Sequence, residues 1–330
     1  MAGSLGFNTD LSDSHLCPTL LPSPNFNAEE DCERLRKAMA GLGTKEKELI
    51  EVMGHRSSEQ RQLIVSKYRS SYGKELLSKL KSEISGHFYD TMEALCYSPA
   101  EFDAHELYKA MKGAGTDESA IIEILCSRSN HQLQQIKEAY GRLFSGHNLE
   151  KDIASDTSGD FKHLCIALLQ ASRDECTIVD TQRARKDAEE LYKAGELKWG
   201  TDESKFIQIF VSRSYPHLKA VFNEYRCIAN NGIEDALRSE MHGSILEAFI
   251  ALVRCTVNTP LFFAEKLKRS MKGIGTDDRT LIRIIVSRCQ VDMGLIKREF
   301  HTLTGKSLES WIEGDTSGDY RQLLLALVSG

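Results

Sequence analysis

The stretch Met271-Lys272-Gly273-Ile274-Gly275-Thr276-Asp277-Asp278 decides the fold, because the chain carries four versions of it. The others are Met39-Ala40-Gly41-Leu42-Gly43-Thr44, Met111-Lys112-Gly113-Ala114-Gly115-Thr116 and Gly195-Glu196-Leu197-Lys198-Trp199-Gly200-Thr201. Their second glycines stand 72, 85 and 75 residues apart, the spacing of four units of about seventy residues with a longer connection between the second and third. Arg56, Arg128, Arg213 and Arg288 each follow their own loop's second glycine by 13 residues. Ser85-Gly86, Ser158-Gly159 and Ser317-Gly318 recur as well, with His242-Gly243 as the third unit's variant.

Between these landmarks the apolar residues fall at helical spacing, as in Leu49, Ile50 and Met53 or Ile121, Ile122 and Leu125, and no useful length alternates like a strand. The fold class read from this is all-α, with about five helices in each of four repeats. Asn27 with Glu30, Asp103 with Glu106 and Asp187 with Glu190 have capping-box spacing, and Thr259-Pro260 reads as a cap followed by proline at the first helical position. The loop threonines are expected to cap the second helix of each repeat, and Ser57 with Gln60 and Ser129 with Gln132 to open the third. A seventy-residue helical unit is marginal alone, so neighbouring units are expected to pack into one continuous body. The expected divisions are a flexible tail over 1–25, repeats over 26–98 and 99–170, a linker over 171–186, and repeats over 187–257 and 258–330.

Composition narrows the function. Of 330 residues 41% are hydrophobic and 27% charged, as in ordinary globular proteins, and no uninterrupted apolar run approaches the length of a membrane span. The first basic residue is Arg34 and residue 2 is alanine, so neither a secretory signal nor N-myristoylation is expected, and a cytoplasmic location is. The nine cysteines form no Cys-x-x-Cys pair and mostly sit in apolar runs, which reads as reduced core thiols. Gly305-Lys306-Ser307 lacks the rest of a phosphate loop, no catalytic motif appears, and the histidines fall singly, so no enzyme is expected. A net charge of −6 repels nucleic acid and anionic lipid alike, so any binding to phosphate must recruit positive charge.

The loops offer a way to do so. Glycines flanking one residue let successive backbone carbonyls turn toward a common centre, which suits a hard cation such as calcium, and a carboxylate is then needed to compensate its charge. Counting from each second glycine finds one: Glu83, Glu240 and Asp315 at 40 residues and Asp156 at 41, each three residues before a glycine that opens the last helix. With 48 acids in 330 residues, four such hits arise by chance about once in 2,000. The signal is therefore more than helix-terminating glycines beside cap-friendly acids.

In these residues the chain resembles the annexins: Met-Lys-Gly-x-Gly-Thr-Asp-Glu with an acid about forty residues later is similar to their calcium motif, and Gly195–Glu203 to its third-repeat variant. The resemblance covers residues 26–330. It implies a curved disc of four five-helix repeats with calcium, Ca2+, held on the convex face. The implied ligands are the carbonyls of Met39, Gly41 and Gly43 with Glu83, and of Met111, Gly113 and Gly115 with Asp156. In the last two repeats they are Gly195, Lys198 and Gly200 with Glu240, and Met271, Gly273 and Gly275 with Asp315. Accessory sites would use Thr44 with Glu46 and Thr201 with Glu203. The first repeat departs at Ala40 and Lys45, which puts a cation beside the ion and predicts weaker binding; the second has one extra residue near Ser145–Asn148 that could displace Asp156; Asp278 makes a fourth accessory site unfavourable.

Such ions would bridge the protein to lipid phosphates, giving calcium-dependent attachment to acidic phospholipid membranes, peripheral and reversible, with a scaffolding or trafficking role. Trp199, inside the third loop, is expected to enter the headgroup region. Asp103, Glu123, Arg128, Arg288 and Asp292 form a polar cluster, read as buried ion pairs that fix packing, with calcium-regulated ion passage through a central polar channel as the alternative. A calcium-independent scaffold for protein partners is the other competing function. The tail, with Ser4, Thr9, Ser12 and Ser14, is a candidate segment for a protein partner or phosphorylation. The expected solution state is a monomer that can self-associate on membranes, with no nucleic acid bound.

Overall fold

Apolar stripes at helical spacing need a partner surface, and in the computed structural model, which describes residues 16–41, 43–113, 115–196 and 200–330, they find it in other helices. No strand occurs among the described residues. The first repeat holds α1 (Ala28–Ala38), α2 (Glu46–Met53), α3 (Ser58–Tyr72), α4 (Leu76–Glu83) and α5 (Gly86–Cys96). The second holds α6 (Pro99–Met111), α7 (Glu118–Ser127), α8 (Asn130–Leu143), α9 (Leu149–Asp156) and α10 (Gly159–Leu169). The third begins with α11 (Thr181–Ala194), α12 (Glu203–Ser212), α13 (Tyr215–Ala229) and α14 (Ile233–Glu240). Its last helix runs end to end into the first helix of the fourth repeat as α15 (Gly243–Ser270), and α16 (Asp278–Arg288), α17 (Met293–Thr304), α18 (Leu308–Asp315) and α19 (Gly318–Ser329) follow.

The 28 residues of α15 are apolar enough to suggest a membrane span, yet the backbone leaves the helical region at Asn258 (φ −155°, ψ 90°). Neither half then reaches the ~20 residues a bilayer requires. Asn258 accepts a hydrogen bond from the Leu261 N–H at 3.1 Å, so Asn258, and not Thr259, caps the second half. Thr259 instead donates back to the Cys255 carbonyl at 2.8 Å.

Other helix starts also differ from the expectation. Asn27 does cap α1, and Ser57 with Gln60 and Ser129 with Gln132 do form capping boxes. But α6 starts at Pro99 and α11 at Thr181 behind an Asp180 cap, which leaves Asp103 and Asp187 inside helices, where they serve as ion-pair partners. The second helix of a repeat is capped by the residue after the loop threonine: Asp117, Asp202 and Asp277 accept from Ala120, Lys205 and Thr280. Lys45 stands at that position in the first repeat and makes no side-chain cap.

The described chain divides into two compact units: the first and fourth repeats form one and the second and third the other. Packing therefore does not simply follow chain order, as neighbour stacking had implied. In the first unit α5 packs on α16 and α19 on α2, so the fifth helix of each repeat covers the second helix of the other. Leu323, Leu324 and Leu327 of α19 are completely buried, each contributing about 1.5–3 kcal/mol of apolar burial. The second unit repeats the arrangement with α10 on α12, while Cys126 of α7 meets the Ala248 carbonyl of α15 at 3.7 Å. Phe249 of α15 lies edge-on to Phe210 of α12, with ring centres 5.0 Å apart.

Part of the segment expected as a flexible tail is tied down. Within the first unit, Thr19 donates from its backbone N–H to the Cys289 carbonyl at 2.9 Å and from its hydroxyl to the Leu327 carbonyl at 2.7 Å. The Gly294 N–H donates to the Cys17 carbonyl, and Ser23 exchanges two hydrogen bonds with the Gln60 amide. Residues 1–15, with Ser4, Thr9, Ser12 and Ser14, lie outside the described residues. No disulfide forms among the described cysteines; Cys32, Cys96, Cys126, Cys165, Cys255 and Cys289 are buried, whereas Cys176 and Cys227 are exposed. Burial pushes the Cys32 and Cys289 thiols up to about 11 and those of Cys96 and Cys165 to about 12, which suppresses the reactive thiolate.

Candidate metal sites

Each glycine-rich loop leaves the end of a repeat's first helix and is closed at its neck by one backbone bond. The N–H of Lys45, Asp117, Asp202 and Asp277 donates to the carbonyl of Ala38, Ala110, Ala194 and Ser270 at 2.8–2.9 Å. Inside the neck the backbone adopts conformations that L side chains rarely take. Gly41 and Gly43 have φ of 95° and 83°, Gly113 and Gly115 118° and 96°, and Gly273 and Gly275 123° and 88°. The third loop differs: Gly200 has φ 81°, but Gly195 closes α11 at φ −103° and packs 3.6 Å, by its would-be Cβ, from the Glu240 side chain. Met39 and Met271 are buried as anchors beneath their loops, and Met111 is half-buried. Lys198 and Trp199, with Leu197, Leu42 and Ala114, lie outside the described residues.

The four distant acids all come to their own loops. Glu83, Asp156, Glu240 and Asp315 are each the last residue of their repeat's fourth helix, half-buried. The loop threonine donates to each: Thr44 to Glu83 at 3.1 Å, Thr116 to Asp156 at 2.6 Å, Thr201 to Glu240 at 2.9 Å and Thr276 to Asp315 at 2.7 Å. In the last three repeats the same hydroxyl also approaches the acid's backbone carbonyl, at 3.1–3.2 Å. The threonines expected to cap helices thus fasten the acids to the loops. The extra residue of the second repeat does not displace Asp156, because the α8–α9 connection absorbs it, with Gly146 at φ 84°.

A second cation besides Lys45 stands at the first repeat's loop, on the acid itself. Lys45 is exposed at the start of α2, whereas Lys79, one turn before Glu83 on α4, pairs directly with its carboxylate. The Lys79 bond and then the Thr44 bond hold Glu83 below the usual carboxylate range. The equivalent residues of the other repeats are Asp152, Ala236 and Trp311, so a count back from each acid would have exposed the difference. Of the accessory pairs, Thr44 and Thr201 are committed to Glu83 and Glu240, while Glu46 and Glu203 are half-buried at the first positions of α2 and α12. Asp278 in the fourth repeat faces His87 at 3.3 Å.

The recurring arginines are part of the frame. Arg56, Arg128 and Arg213 fork onto both oxygens of Asp31, Asp103 and Asp187, with a shortest distance of 2.6 Å in every case. Arg288 pairs with Asp292 at 2.7 Å and stacks over the Phe263 ring at 4.7 Å, because Phe263 stands where the other repeats have the aspartate. Of the residues of the expected polar cluster, Asp103 pairs with Arg128 in one unit and Arg288 with Asp292 in the other, and Glu123 is completely buried on α7. As ion-pair partners Asp31 and Asp187 were missed in the sequence, although they lie at the same distance before their glycines as Asp103, give or take one residue.

Sequence reasoning also passed over Ile274, which stands fully exposed between the two glycines of the fourth loop, the position of Trp199 in the third. Ile274 is the most exposed of the large apolar side chains among the described residues, ahead of Ile178, Leu21, Val257 and Leu63.

The donor set fits calcium. No cluster of three or more His, Cys, Asp or Glu side chains occurs among the described residues, so an ion at these loops would need backbone oxygen beside the carboxylate that the threonine holds there. Oxygen donors suit a hard cation such as calcium.

Helical repeats whose glycine loops each carry a distant acid define a class of cation-binding repeat proteins. The Annexin family profile matches residues 30–95, 102–168, 186–252 and 262–327, and the chain belongs to the annexin family. It is 49% identical to human annexin A11 over 312 residues, which is 94% of this chain and 62% of that protein, so the chain spans less than two thirds of that relative's length. The structure of annexin III matches with a TM-score of 0.93 at 48% identity, covering 95% of this chain and 97% of that one. Calcium-bound annexin (Sm)1 matches with a TM-score of 0.86 at 30% identity, covering 96% and 94%. Calcium is the cofactor of this family, whose members in general bind phospholipid and are not enzymes.

Proposed function

We propose that this protein attaches to acidic phospholipid membranes when calcium fills its four loops. The observation that carries the reading is the fourfold threonine–acid bridge, which brings one carboxylate to each loop across about forty residues of chain. Carbonyls of Met39, Gly41 and Gly43, of Met111, Gly113 and Gly115, of Gly195, Lys198 and Gly200, and of Met271, Gly273 and Gly275 would complete the sites with Glu83, Asp156, Glu240 and Asp315. Bound calcium supplies positive charge and coordination positions that a phosphate oxygen can take.

The residues around the ion divide the remaining work. The threonines orient the carboxylates, the left-handed glycines let the loop backbone curl, and Ile274 and Trp199 offer apolar contact at the headgroup level. Without calcium, a chain of net charge −6 is repelled by an anionic leaflet; four ions would bring the formal sum to about +2. A cytoplasmic, peripheral, monomeric protein that gathers on membranes as calcium rises follows from this reading. Sedimentation with phosphatidylserine vesicles tests it: binding is expected with calcium and absent with chelator, and equal binding in both would favour a calcium-independent scaffold.

A further inference from the structure

We infer that Lys79 is a tethered counter-cation that competes with calcium for Glu83 and sets a higher calcium threshold for the first-repeat loop than its other ligands would give. The inference rests on reading that loop as a calcium site. Glu83 is bonded through both oxygens: Oε1 by the Lys79 ammonium and Oε2 by the Thr44 hydroxyl. Lys79 and Glu83 lie one turn apart on α4 with side chains 32% and 18% exposed, so the pair is held close yet remains open to exchange with solvent ions. A carboxylate already neutralised by an ammonium attracts a divalent ion less, and to accept one it must first release the lysine or share an oxygen with it.

The other repeats have no cation one turn before the acid, where Asp152, Ala236 and Trp311 stand. Asp152 is itself bonded by Tyr140 and His147 at 2.7 Å, away from any pairing with Asp156. Displaced from Glu83, the Lys79 ammonium would lie over an open cup lined by Lys74 and Glu75, just before α4, and by Ser78 and Ser82 on it. Water can solvate it there, so exchange of lysine for calcium needs no unfolding of α4.

The test uses the full chain carrying Asp156→Asn, Glu240→Gln and Asp315→Asn, which isolates the first loop, with calcium uptake measured by equilibrium dialysis of the radioactive ion. Adding Lys79→Met is expected to tighten calcium binding about threefold, the order of a part-exposed ion pair. Lys79→Arg, which keeps the charge, is expected to leave affinity near that of the parent. Equal affinity in the methionine variant and the parent would overturn the competition while leaving the first loop a calcium site. No uptake by either would overturn the site itself, and the inference with it.

Discussion

At the residue scale, one hydroxyl in each repeat decides whether a distant acid serves its loop. Thr276 donates to Asp315 at 2.7 Å, and a hydroxyl that fixes a ligand from outside commonly sets about a tenfold difference in metal affinity. Thr276→Val, which keeps the shape, should raise the calcium needed at the fourth loop by about that factor in a calcium titration, with the helical circular dichroism unchanged. A second residue-scale expectation concerns pH. Burial alone would raise the Asp187 carboxyl, but the Arg213 fork and His217 outweigh it and hold the group below its ordinary value of 3.8. A depressed folded value means that the stabilisation is complete above the unfolded value and disappears as pH falls through the folded one. Asp187→Asn should therefore flatten the loss of stability below about pH 4. It should also cost about 3 kcal/mol at neutral pH, because Arg213 loses its partner; thermal unfolding across pH measures both.

The role of the threonines was not legible in the sequence because threonine and aspartate are both good helix caps, and Thr276-Asp277 offers the two in succession. The backbone chose Asp277 for the cap, which released the threonine for the acid. The acids themselves were legible, since each sits at a fixed count from a glycine and terminates a helix of the same length.

At the element scale, the fifth helix of a repeat covers the second helix of its partner, and close approach depends on small residues. Gly54, just past α2, has the Ile50 carbonyl at 2.7 Å and Ala326 and Leu323 of α19 at 3.2 and 3.3 Å from where a Cβ would stand. The other repeats have Cys126, Val211 and Val286 at this position, so the glycine is particular to the contact of α2 with α19. Gly54→Ala should destabilise the first unit by about 1–3 kcal/mol through overpacking, seen as a lower melting temperature without loss of helix content. Helix number and type could be read from periodicity and landmarks, but starts such as Pro99 and Thr181 could not. There, several polar residues compete as caps, and tertiary ion pairs claim the apparent capping aspartates 103 and 187.

At the scale of the whole molecule, four similar sequences assemble as two pairs, and the chain closes its first repeat on its last. Periodicity reports only which face of a helix is apolar, not which distant helix will cover it, so this pairing was beyond local reading. The anchoring of Cys17, Thr19 and Ser23 was hidden for the same reason, since its partners are backbone groups near residue 290, the Leu327 carbonyl and the Gln60 side chain. What the repetition does carry is one bridge between a loop threonine and a distant acid in every repeat, in a chain of net charge −6. Anomalous scattering from crystals grown in calcium locates those ions directly. Peaks within bonding distance of the Gly273 and Gly275 carbonyls and the Asp315 carboxylate, and of their counterparts at Glu240, are expected. Calcium bound elsewhere, with these loops empty, would contradict the assignment of glycine turn and distant acid to a single ion.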